Sequence, residues 1–334
     1  MISRWVLLLP LLAVLLLGCA DAPTSGRVVD AELAVDRFYD VSMVLAWFRT
    51  LEEAAPRWFS VEIMGHSVQG RPLPCLVVTD TQATGKKKGY WIDGAIHGGE
   101  LGSQRPALAV AEHLRRAIGE GKPPAWLSRI RLYLAPVLNP DGLHRGMRPP
   151  FPHHRNNVHD VDLNRNYPIK AVTIDGRSIA EHVSVPEPET QAVMAFWKRV
   201  GPIDLAISYH TSANLIIHPK YPPKDQRKRY ADICAIYESM VYPHSLAFEM
   251  SGPSRRGLTM DWFGRVRGAV ALSVEMNPLP GVERERAMED VHPAGGYKLR
   301  RANRLLCSLR HYGEVHAEFL LALIRLLRED PSQG

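Results

Sequence analysis

Cysteine is scarce in this chain: four among 334 residues. Like charge is also sparse in runs. No basic block is longer than three residues; Lys86-Lys87-Lys88 reads as a solvated turn, and no basic patch is interleaved with aromatics. A nucleic-acid surface is therefore excluded although the net charge is +6. There is no internal repeat, no low-complexity linker and no shift of composition along the chain. What remains is an ordinary globular balance, 46% hydrophobic and 23% charged, able to bury a sizeable core.

The one long apolar run lies at the start. Arg4 gives a short basic opening, and Trp5 to Leu17 is almost unbroken apolar sequence. That length is short for a membrane span and right for a signal-peptide core. It ends in Leu16-Leu17-Gly18-Cys19, which resembles the bacterial lipobox. The expectation is a signal peptide over 1–18, lipidation at Cys19 and a tether over 19–34. Acyl chains on Cys19 would anchor the protein to a membrane without a transmembrane helix. The expected location is extracytoplasmic, in the periplasm or on the cell surface. Lipidation of Cys19 leaves Cys75, Cys234 and Cys307, an odd number that cannot pair completely.

Beyond the tether, strand and helix patterns alternate. Helical spacing runs over Val41 to Ala54, Ser103 to Ile118, Pro186 to Val200, Asp225 to Met240 and Lys298 to Leu327. Strand patterns cover Val61 to Met64, Leu73 to Thr79, Gly89 to Ile96, Ile130 to Leu138, Ile203 to Tyr209 and Gly268 to Val274. Several are continuous apolar runs, the mark of strands buried on both faces. The pattern predicts a three-layer α/β/α sandwich around a mixed, mostly parallel sheet, as a single catalytic domain over 35–330.

His97, Glu100 and His210 have the composition of a catalytic zinc site, which takes three N or O ligands and keeps one open position. His-x-x-Glu is a weak motif alone; a second copy, His311 with Glu314, reads as a surface helix pair. The first copy follows a strand, turns on Gly98-Gly99 and opens a helix. His210 sits at the end of another strand, where α/β sheets place their sites.

The wider sequence resembles the zinc carboxypeptidase family, of the carboxypeptidase A/B type, over roughly residues 36 to 330. The resemblance is carried in order by Gly65-x-Ser67-x-x-Gly70-Arg71, Ile92-Asp93-Gly94-Ala95-Ile96-His97-Gly98-Gly99-Glu100, Leu138-Asn139-Pro140-Asp141-Gly142, Asp162-Leu163-Asn164-Arg165-Asn166-Tyr167, Pro186-Glu187-Pro188-Glu189-Thr190, Tyr209-His210-Thr211, Asp261-Trp262 and Ser273-Val274-Glu275-Met276. It implies one Zn2+ on His97, Glu100 and His210. It implies Glu275 as general base on the water that zinc activates, returning the proton to the leaving amine. Arg155 becomes the cation that polarises the scissile carbonyl. Asn164 and Arg165 would hold the C-terminal carboxylate of a peptide, and Asp162 would orient His97 from behind. Met260, beside Asp261, stands where the family shapes its side-chain pocket; an apolar residue there fits an apolar or small terminal residue.

One departure is visible. Family members carry a Tyr about eight residues before the Asp-Trp pair, where this chain has Pro253; Tyr242, Arg255 and Arg256 are the nearest alternatives. The implied activity is removal of C-terminal residues from peptides. One alternative is an amidase acting on γ-linked acidic cell-wall peptides, motivated by Arg255-Arg256 and the anchor. The other is a non-catalytic peptide-binding lipoprotein, motivated by the missing Tyr.

Overall fold

Helix α1 (Val41–Ala54) starts where the Asp40 side chain accepts the Met43 N–H. Its apolar spacing buries Val44, Trp47, Phe48 and Leu51 against the sheet. The computed structural model describes residue 33 and residues 38–147, 154–174, 176–179, 181–211, 215–219, 222–241, 246–249, 257–276 and 314–324. Cys19 and the rest of the expected signal and tether segments, apart from Leu33, lie outside them, as do Cys307, Tyr242, Pro253, Arg255, Arg256 and His311.

Eight strands form one sheet: β1 (Phe59–His66), β2 (Pro72–Val78), β3 (Lys88–Asp93), β4 (Ile130–Ala135), β7 (Leu205–Thr211), β8 (Leu215–His218), β9 (Leu246–Glu249) and β10 (Val270–Met276). A separate hairpin joins β5 (Val172–Ile174) and β6 (Arg177–Ile179). The order across the sheet is β1-β2-β4-β3-β7-β10-β8-β9. The centre, β4-β3-β7-β10, is parallel throughout, and antiparallel pairings flank it on both sides.

The sheet is covered on both faces. Tyr90, Ile92, Leu132, Leu134, Ile207 and Leu272 face α1, α2 (Arg105–Gly119), α5 (Arg227–Met240) and α6 (residues 314–324). The alternate residues Trp91, Tyr133, Ala206 and Ala271 face α4 (Pro188–Val200) and the Trp262-Phe263 turn. On that second face Trp197 stacks on Phe263 at 4.0 Å and Trp91 meets both edge-on. Alternation of side chains along each strand thus gives the expected three-layer sandwich.

Some boundaries differ from expectation. Leu33, assigned to the tether, is buried within the first core, and its N–H donates to Glu112 Oε2 at 3.3 Å. β4 stops at Ala135 and not at Leu138, because the chain must leave the sheet there to make the site turn. The Asn139-Pro140-Asp141-Gly142 turn opens a short helix, α3 (Pro140–Gly146), with Asn139 accepting the Gly142 N–H and Pro140 in the first turn. Strands β8 and β9 were not expected.

Candidate functional site

The ligand loop leaves the sheet at the carboxyl end of β3. Gly94 and Ala95, the latter at φ 48°, turn the chain, and Ser103 Oγ accepts the Ala95 N–H. From the next turn, Asn139 N donates to Ala95 O and Asn139 Nδ2 to Ile96 O. A Cβ on Gly98 would lie 2.2 Å from the backbone carbon of Gly142, so two glycines let the two turns pack backbone to backbone. Asp141 secures the outer side of this contact. It is wholly buried and accepts from Ser67 Oγ, Gln69 N and Arg71 Nη1. The early Gly-x-Ser-x-x-Gly-Arg segment is therefore a clamp on the turn that backs the ligand loop.

This scaffold brings His97, Glu100 and His210 together, with ligand atoms all within 4.8 Å of one another. Nδ1 of His97 lies 2.7 Å from Glu100 Oε1, and Nδ1 of His210 lies 3.0 Å from Glu100 Oε2. The two Nδ1 atoms are 3.2 Å apart. Both rings are buried, so two imidazole nitrogens and a carboxylate converge on one point with little water. Burial alone would raise the Glu100 carboxyl, but hydrogen bonds from His210 and His97 outweigh it and hold it at about 2. Burial likewise works against a charged His210, and Glu100 overrides it, raising its pKa. A fixed carboxylate between two imidazoles, with their donors mutually close, is a donor set that fits a zinc ion.

Around this cluster the structure gathers most of the expected residues. His97 Nε2 lies 3.2 Å from Asp162 Oδ1, and Arg155 Nε donates to Asp162 Oδ2 at 2.7 Å. Asp162 thus links the candidate ligand His97 to Arg155. Burial would raise the Asp162 carboxyl, but His97 and Arg155 hold it well below the carboxylate range. The Arg155 segment is stapled to the ligand loop: Gly98 N donates to Arg155 O and Gly99 N to His154 O, at 3.3 and 2.6 Å. Asn164 Nδ2 stands 3.4 Å from His210 Nε2, while Asn164 Oδ1 accepts from Thr259 N and Thr259 Oγ1. Arg165 follows, with Nη1 on the Asn164 carbonyl.

Glu275 lies on β10, directly in register with His210 on β7. Parallel neighbours in register point their side chains to the same face, which places this carboxylate beside the cluster. Burial raises its pKa; His210 opposes this and Glu100 adds to it. Met260 is 1% exposed and packs in the core with Leu258, Trp262 and Phe263.

Asp93 and Glu189 are buried acids to which the sequence assigned no role. Asp93, at the end of β3, accepts from Trp91 Nε1 and Ser208 Oγ, at 2.6 and 2.8 Å. Burial pushes it up to about 6. Glu189, in the first turn of α4, accepts from Val68 N and Asn157 Nδ2 and so ties the clamp segment to the Arg155 loop. An acidic residue inside Trp91-Ile92-Asp93-Gly94 was the available signal for the first; the second has only distant partners.

The zinc carboxypeptidase family model matches residues 44–256, more than half of the 334 residues. His97, Glu100, Arg155, Asp162, Asn164, Arg165 and His210 fall inside the match, and Met260 and Glu275 fall beyond it. Carboxypeptidase D of Mus musculus is 28% identical over 195 residues, which is 57% of this chain and 13% of that protein. The chain therefore spans about an eighth of the length of that relative. In fold it is similar to a metallo-carboxypeptidase from Burkholderia cenocepacia, with TM-score 0.62, 20% identity, and 86% and 70% of the two chains covered. It is also similar to carboxypeptidase A from Helicoverpa armigera, with TM-score 0.63, 15% identity, and 89% and 79% covered. With the ordered motifs and the three converging candidate ligands already in place, the chain belongs to the zinc carboxypeptidase family.

Proposed function

We propose that the protein is a zinc-dependent metallocarboxypeptidase, one Zn2+ per chain, that hydrolyses the C-terminal peptide bond of peptides outside the cytoplasm, anchored through lipidated Cys19. The observation that carries this reading is the pairing of Glu275 with His210 in adjacent strands, beside the converging His97 and Glu100. His97, Glu100 and His210 would hold the ion. Zinc, once bound, supplies Lewis acidity and lowers the pKa of water toward about 7.

The protein's own groups divide the rest of the work. Glu275 takes the proton of the attacking water and passes it to the leaving amine; a half-buried carboxylate with a raised pKa suits both steps. Arg155 offers a fixed cation to the oxyanion as it develops. Arg165 and Asn164 bind the free terminal carboxylate, the guanidinium in two-pronged geometry. That last contact makes the reaction an exopeptidase reaction, since an internal peptide has no such group to offer.

The test uses the mature soluble domain with N-blocked dipeptides of varied C-terminal residue, with and without a zinc chelator, and Glu275→Gln as control. Chelator-sensitive release of the terminal residue, lost in Glu275→Gln, is the expected result. Turnover of γ-linked acidic muropeptides in place of acyl-dipeptides would move the substrate class to cell-wall peptides. A carefully purified protein without zinc would leave a peptide-binding lipoprotein as the reading.

A further inference from the structure

The peptide that carries Arg165 is gripped by a strap, residues 182–187, whose first four residues belong to no functional motif. His182 Nε2 lies 2.9 Å from the Arg165 carbonyl oxygen. A carbonyl oxygen only accepts, so this ring nitrogen donates. His182 is itself fixed by a bridge to Ile169, with reciprocal backbone bonds of 2.9 and 2.7 Å. On the other side Gly257, at φ 80°, closes over the same carbonyl. A Cβ there would come within 2.3 Å of Arg165 O and 2.6 Å of His182 Nε2. Tyr167 N donates to Gly257 O at 3.2 Å. One residue along, Asn166 is held by the strap at three points: Nδ2 to Val185 O, Ser184 Oγ to its carbonyl, and Glu187 N to Oδ1.

We infer that His182 is a positioning residue for terminal-carboxylate recognition: it fixes the Arg165 backbone so that the guanidinium is presented in one orientation. A planar guanidinium binds a carboxylate in two-pronged fashion only over a narrow angular range, so rotation of its root peptide costs affinity. The chemistry at the metal ligands is untouched, because no bond links His182 to His97, Glu100 or His210 among the described residues. The inference rests on Arg165 as the carboxylate-binding residue.

The experiment measures the dissociation constant of one peptide with a free and with an amidated C-terminus, by calorimetry, in zinc-loaded protein carrying Glu275→Gln so that nothing turns over. With His182 in place the free peptide should bind more tightly. His182→Leu should reduce that preference about five- to tenfold, the scale of one hydrogen bond, and leave binding of the amidated peptide and zinc content unchanged. His182→Gln, which keeps a donor near Nε2, should recover most of it. In protein with an intact Glu275, the loss should appear in KM with kcat retained. A preference that survives His182→Leu, or that His182→Gln does not recover, overturns the role of His182 alone. No preference with His182 in place overturns the carboxylate reading of Arg165 and this inference with it.

Discussion

His210 and Glu275 are register partners across β7 and β10, so a metal-ligand candidate and a candidate base share one rung of the sheet. Their separation is therefore set by backbone hydrogen bonding and not by loop conformation. A strand-borne pair is more rigid than a loop-borne one, and pre-organisation is what proton transfer needs.

That relationship makes Glu275→Gln the sharpest probe. The amide keeps the shape and cannot take a proton, so kcat should fall about 10²- to 10⁴-fold with one zinc still bound. Metal analysis beside steady-state kinetics checks both halves. Retained turnover would remove Glu275 from the reaction.

Asp162 contacts both His97 and Arg155. Replacing it by Ala should weaken zinc binding about 10- to 100-fold, the usual effect of losing the group behind a metal-ligating histidine. Competition with a chelator of known affinity measures this. An unchanged zinc affinity would mean that His97 is oriented without it.

Asp93 predicts a pH dependence. Burial raises its carboxyl from 3.8 to about 6, so the folded state holds the proton more tightly than the unfolded chain. Its stabilising contribution is complete below 3.8 and is lost as pH rises toward about 6. Asp93→Asn mimics the protonated form. In metal-free protein it should be more stable than the wild type at pH 8 by roughly 1–3 kcal/mol, and close to it at pH 4. Urea unfolding at the two pH values decides; a variant less stable at pH 8 would contradict the argument.

Gly98→Ala introduces a methyl where the Gly142 backbone already stands, 2.2 Å from the new Cβ. Neither neighbour is a flexible side chain, so the ligand loop must shift. The expected cost is about 1–3 kcal/mol of stability, with zinc affinity lowered at least tenfold because His97 and Glu100 flank the residue. Thermal unfolding with and without zinc separates the two effects.

The central strands and long helices were legible because their residues are apolar at the right period. Val41 to Ala54 matches its helix end to end. The last two strands on one side of the sheet, β8 and β9, were not, since each has four residues and finds its neighbour only through the three-dimensional order β10-β8-β9. The candidate ligands were legible as motifs, but their supports were not. Asp141 meets Ser67 from 74 residues away, and no local pattern announces such a partner.

Val183 and Val185 are 80% and 87% exposed, although their strap holds Asn166 and the Arg165 carbonyl. The grip uses the Val185 carbonyl and the side chains of the alternate residues, His182 and Ser184, so the two valine side chains face solvent and take no part in it. They can vary without loosening anything beneath them. The solvent side of the strap is thus open to sequence drift, while the turns beneath the candidate ligands, packed glycine against glycine at Gly98 and Gly142, are not.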